Sequence, residues 1–211
     1  MTHKIMGMVG GLVVGVILYV TSMTHVKHIM LIDAVEVGIF GNLIVKGVDQ
    51  SVQQEITKTL HDIQDYSEVH LTLSSGGGYS LHMFGSLYTL EQIKKHVPLT
   101  VSVPSNCASA CAVIMLEANT LDINPDAEVL FHLPRAIEGT TIVVLTPDHP
   151  NPEIRRIGLQ AQVLYQRLLR PYLTHNEWKR LMVGEDITFT GKEFQERWNY
   201  VHKIKSAIEL A

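Results

Sequence analysis

Apolar positions along the chain change period repeatedly, and each change predicts an element. Val35, Val37 and Ile39 alternate with polar or small neighbours, a strand that ends at Phe40-Gly41-Asn42. Val48, Val52, Ile56, Leu60 and Ile63 then recur at helical spacing, predicting an amphipathic helix. Val69–Leu73 predicts a short strand running into Ser74-Ser75-Gly76-Gly77-Gly78, and Leu81, Phe84 and Tyr88 mark a second helix. Leu99, Val101 and Val103 alternate with Thr100 and Ser102 in a further strand closed by Pro104. The run Ala108–Ala118 is small and apolar all round, which predicts a buried helix. Val129–Phe131 is a strand that stops at His132-Leu133-Pro134. This strand–helix–strand rhythm predicts parallel strands with right-handed crossovers, an α/β fold.

Residues 135–153 break the rhythm. Turn residues surround the β-rich Thr141-Ile142-Val143-Val144-Leu145, so a projecting hairpin or loop is expected. Ile154, Ile157, Ala161, Leu164 and Leu168 predict a long helix stopped before Pro171. Thr174-His175-Asn176-Glu177 is a capping box that opens another helix. Asp186-Ile187-Thr188-Phe189-Thr190-Gly191 follows, then a Glu-rich helix from Lys192 to Asn199.

The N-terminus has a different pattern. Residues 5–23 carry no charge, between Lys4 and Lys27. As a helix at ~1.5 Å per residue this run rises roughly 28 Å, enough to cross a hydrocarbon core of ~30 Å. Three readings remain open: a membrane anchor, a cleaved signal peptide, and a buried first helix. No Ala-x-Ala cleavage site is present, and Gly7, Gly10, Gly11 and Gly15 weaken a helix in water more than in lipid. The expected division is a membrane or signal segment over residues 1–28 and one α/β domain over 29–211. The first two readings place that domain outside the cytoplasm if the short basic end stays inside, so the expected location is membrane-anchored and periplasmic, or exported after signal cleavage; Lys27 on the far side leaves the orientation open.

Composition narrows the classes. The 211 residues are 46% apolar, enough for one domain with a real core. Seventeen Lys and Arg against 21 Asp and Glu give a net charge of −4, so no basic field invites nucleic acid. Two Cys exclude a disulfide-stapled miniprotein. No His-x-x-x-His or His-Glu-x-x-His spacing occurs, so neither a metal site nor another cofactor is expected. No Walker motif is present, so any ATPase would be a separate partner, and the sequence does not identify one.

Three segments carry candidate chemistry. Ser109 lies in Asn106-Cys107-Ala108-Ser109-Ala110-Cys111, after a strand and at a helix start. Free N–H groups and partial positive charge at such a start suit a nucleophile and a developing oxyanion, although Ser is also a common N-cap. Gly76-Gly77-Gly78 is a strand-to-helix turn that can expose N–H groups in a concavity. His132 stands at a strand's C-terminal end, where α/β sites gather, and Asp186 could orient its imidazole.

Taken in order, Leu71-Thr72-Leu73-Ser74-Ser75-Gly76-Gly77-Gly78, Cys107-Ala108-Ser109-Ala110-Cys111, Phe131-His132-Leu133-Pro134 and the segment from Glu185 to Phe194 resemble the Clp protease proteolytic subunit, within the crotonase-like superfamily. The resemblance covers roughly residues 34–204 and is closer still to exported Clp-like proteins with Cys-x-Ser-x-Cys around the nucleophile. It implies a repeated ββα superhelix, a homo-oligomer and a serine peptidase acting on peptide or protein substrates. It further implies Ser109 as nucleophile, His132 as general base, Asp186 as the residue holding the imidazole, and the N–H groups of Gly77 and Ala110 as the oxyanion hole.

The chain also departs from the family. Ser75 stands where the family has Pro, Ala110 where it has a bulkier residue, and Arg135–Asn151 differs from the family's ring-contact element, so stacked rings are not implied. Cys107 and Cys111 are a candidate redox pair. Outside the cytoplasm they are expected to form an easily reduced disulfide that stiffens the Ser109 turn; the competing reading is two small core residues. Two other functions fit the same motifs: a catalytically inactive membrane interaction module, and an acyl-thioester enzyme of the crotonase type.

Overall fold

A computed structural model of the chain describes residues 26–32, 35–37, 43–45, 47–138 and 141–209. The expected apolar segment over residues 5–23 lies outside the described residues. Among the described residues, no helix is long and apolar enough to cross a membrane.

Two sheets organise the fold. The first is a four-stranded parallel sheet in the order β1 (Val26–Ile32), β4 (Glu68–Ser74), β5 (Leu99–Val103), β7 (Thr120–Ile123). The second has the order β11 (Ile187–Thr190), β8 (Glu128–Phe131), β6 (Cys107–Ala108), with β11 antiparallel and β6 parallel to β8. Two antiparallel hairpins stand apart, β2 (Val35–Val37) with β3 (Leu43–Val45) and β9 (Arg135–Glu138) with β10 (Thr141–Val144). The second is the hairpin expected between residues 135 and 153.

Helices α1 (Gln50–His61), α2 (Ser80–Ile93) and α3 (Ala110–Met115) lie between the parallel strands in chain order, as the alternating pattern requires. Beyond the second hairpin come α4 (Pro152–Leu168), α5 (His175–Met182) and α6 (Gly191–Glu209). Alternation places Val69, Leu71, Leu73, Leu99, Val101 and Val103 on one buried face of the first sheet. All six residues of α3 are buried, so this helix runs through the core. Gln195 on α6 completes the free edge of β7: its side chain accepts from the Ile123 N–H and donates to the Leu121 carbonyl, both at 2.9 Å.

Some expectations need correction. Leu81, Phe84 and Tyr88 do mark a helix, but they face solvent at 75%, 40% and 67% exposure. The stripe that packs inward is Met83, Leu87 and Leu90, spaced four and three residues apart. The expected helix over Ala108–Ala118 starts only at Ala110, because Cys107 and Ala108 pair with β8. The last helix runs on from Asn199 to Glu209. Strands β1 and β7 have no counterpart in the sequence pattern: β7 is only four residues long, and Lys27 and His28 interrupt any alternation in β1. The division at residues 28 and 29 falls inside β1.

Candidate active site

The site grows from the short strand β6. Cys107 pairs with Val129 and Ala108 with Leu130, and the Ser109 N–H continues the ladder to the Leu130 carbonyl at 2.8 Å. The chain then turns sharply. Ser109 adopts φ 57° and ψ −124°, and among the described residues no other non-glycine has a positive φ. Its carbonyl accepts the first bond of α3, from the Val113 N–H at 3.1 Å. Such backbone costs about 1–3 kcal/mol and persists only where its surroundings over-determine it. It matches the strained strand-to-helix turn that lifts a nucleophilic Ser out of a sheet. Ser109 itself is half-buried.

Beyond Ser74, β4 leaves its own sheet and joins the second. Ser75 bridges to Cys107, its N–H donating to the Asn106 carbonyl and its carbonyl accepting from the Ala108 N–H, both at 2.9 Å. This brings the glycine turn against Ser109. Gly77 has φ 113°, and a Cβ there would lie 2.6 Å from the Ser109 Cβ and 3.1 Å from its Oγ, so only glycine fits. A cleft of about 280 Å³ lined by Gly76, Gly77, Gly78 and Tyr79 opens beside the turn.

Strand register supplies the other two groups. Ala108 lies level with Leu130, so Ser109 falls level with Phe131, one residue before His132. Ile187 lies opposite Phe131, and one step further along the antiparallel ladder sets Asp186 opposite His132. Register thus carries the backbone of Ser109, His132 and Asp186 to the same end of the second sheet. Phe131, Phe189 and Phe194 form an aromatic cluster under that end, with ring centroids 5.3–6.3 Å apart. The Tyr165 hydroxyl donates to the His132 carbonyl at 2.9 Å, and burial pushes its pKa up, so it remains a donor.

The side-chain bonds differ from those the resemblance implies. His132 Nδ1 lies 2.6 Å from the Leu133 carbonyl. A carbonyl only accepts, so Nδ1 carries the proton and Nε2 of the neutral ring is left as the base. Burial lowers the His132 pKa below 6.5, with Arg135 acting in the same direction, against the Leu133 bond and Asp186, which raise it. The Asp186 carboxylate accepts from the Arg135 guanidinium, both side chains being partly exposed, rather than from His132. The Gly77 N–H donates to the buried Ser75 Oγ at 3.1 Å. The Ala110 N–H opens α3 and has no acceptor further back in the helix.

Cys107 and Cys111 are both fully buried and joined by a disulfide, with Cα atoms 5.3 Å apart. The bond runs from strand to helix, so no helical turn has to unwind to form it.

Sequence reasoning missed Arg135, the Leu133 carbonyl and Tyr165. Nothing local marks Arg135, which is 51 positions from Asp186. Ser75 was visible as a departure from the family, but its bond to Gly77 was not.

No protein-family model matches the chain. No curated protein matches it either. Among solved structures, a ClpP1 point mutant from Listeria monocytogenes is similar, with a TM-score of 0.55, 14% identity, and coverage of 81% of this chain and 86% of that one. At this identity the likeness concerns the fold: the chain has a mixed α/β, ClpP-like fold.

Proposed function

We propose that this chain is a serine hydrolase of the Clp-peptidase type, cleaving peptide bonds outside the cytoplasm while held at the membrane through residues 5–23. The observation that supports the reading is the strained backbone of Ser109, at φ 57°, in a register that carries it to the same end of the second sheet as His132 and Asp186. In this reading His132 Nε2 takes the Ser109 proton as Oγ attacks the substrate carbonyl carbon. The Ala110 N–H then faces the oxyanion, joined by the Gly77 N–H once that group leaves Ser75 Oγ. His132 next protonates the departing amine, and water releases the acyl group by the same steps. Asp186, freed from Arg135, steadies the imidazolium. No cofactor enters the cycle.

A fluorophosphonate probe tests the proposal. It should label the wild-type protein, and Ser109→Ala and His132→Ala should each abolish labelling while the fold survives. Absence of labelling in folded wild type would sink the reading. It would favour a non-catalytic interaction module, the alternative that the Arg135–Asp186 and Ser75–Gly77 contacts support.

A further inference from the structure

The two cysteines are the only cross-link among the described residues, and they bracket Ser109 symmetrically. We propose that the Cys107–Cys111 disulfide is a positioning device, holding Ser109 in its left-handed backbone conformation and thereby setting Ser109 Oγ against the Ala110 N–H. The proposal rests on the reading of Ser109 as nucleophile.

Each end of the cross-link is anchored independently. Cys107 sits in a ladder between Val129 on one side and Ser75 on the other. Cys111 belongs to α3, whose residues are all buried. Between these anchors, the Ser109 N–H is held by the Leu130 carbonyl and its carbonyl by the Val113 N–H, and the disulfide adds a covalent restraint to these bonds. A bond from residue 107 to residue 111 spans both torsions, which is where restraint is needed for a conformation costing about 1–3 kcal/mol. A pair of alanines would fill part of the same core volume without restraining them. Both sulfurs are fully buried, so a reductant reaches them only when the segment opens. That differs from the easily reduced switch expected from sequence and fits a permanent brace.

The test compares wild type with Cys107→Ala/Cys111→Ala, using probe labelling and amide hydrogen exchange across residues 105–113. Removing the brace should slow the covalent labelling step at least ~10-fold with the probe's Ki within twofold, since misplacement costs rate rather than binding. Exchange should accelerate at 109–113 and stay unchanged in β4 and β5. If the double variant does not fold, wild type reduced by a dithiol gives the same readouts. There two electrons and two protons convert the bridge to two thiols while the reagent closes to its cyclic disulfide. Unchanged exchange at 109–113 overturns the proposal, as does labelling within twofold of an active wild type. If wild type is never labelled, the nucleophile reading fails, and the exchange result alone decides whether the disulfide braces the turn.

Discussion

At the scale of single residues, His132 and Arg135 govern what the site can do at a given pH. Burial disfavours the imidazolium, so the base stays neutral to a lower pH than a free imidazole. The acid limb of the labelling rate should therefore have its midpoint below 6.5. Arg135 contributes twice, by lowering the His132 pKa and by occupying the Asp186 carboxylate. Arg135→Gln removes both effects. The acid limb should move to higher pH, and the rate at pH 7 should rise by roughly 10-fold as Asp186 turns to His132. A rate profile with no shift would mean that Asp186 and His132 do not couple.

At the scale of elements, α5 ends at Met182, four residues before Asp186, and its first turn is fixed from two sides. Thr174 and Glu177 form the capping box foreseen from sequence: the Thr174 hydroxyl accepts from the Glu177 N–H, and the Glu177 carboxylate accepts from the Thr174 N–H at 2.7 Å. Only the folded chain adds Arg197 of α6, whose guanidinium grips the same carboxylate at 2.7 and 2.9 Å. These bonds hold the Glu177 pKa down at about 2, with the Arg197 bond the largest cause. A depressed carboxylate stabilises the fold above its unfolded pKa of 4.5, and that contribution is lost as pH falls toward about 2. Thr174→Ala should cost about 1 kcal/mol, a fall of roughly 2–4 °C in Tm at pH 7. Glu177→Gln should flatten the loss of stability between pH 4.5 and 2 measured by thermal melts.

At the scale of the whole molecule, several apolar side chains stand exposed among the described residues. On α4, Leu159 and Val163 are four residues apart on one face and are 46% and 72% exposed. A second copy is the expected cover for that face, in line with the homo-oligomer that the resemblance implies. Sedimentation should find wild-type protein heavier than one chain. Leu159→Lys/Val163→Lys should shift it toward the monomer with the melting temperature of the folded unit nearly kept. A wild type that sediments as one chain at micromolar concentration would rule this assembly out.

Local pattern determined a good deal here. Alternation in Leu99–Val103, the capping box at Thr174 and the glycine turn at Gly76-Gly77-Gly78 depend on neighbours within a few residues, so period and turn chemistry disclose them. The order of motifs likewise led to Ser109, His132 and Asp186. Tertiary structure decided what each side chain touches. Which stripe of α2 packs inward depends on where the sheet lies, and the apolar residues of that helix occupy more than one face. Whether Asp186 meets His132 or Arg135 depends on a hairpin that begins 51 positions earlier in the chain. The left-handed turn at Ser109 is equally invisible in sequence, since nothing in Ala-Ser-Ala demands a positive φ. It arises because a strand paired with β8, a buried helix and the cross-link between them leave the residue no other path.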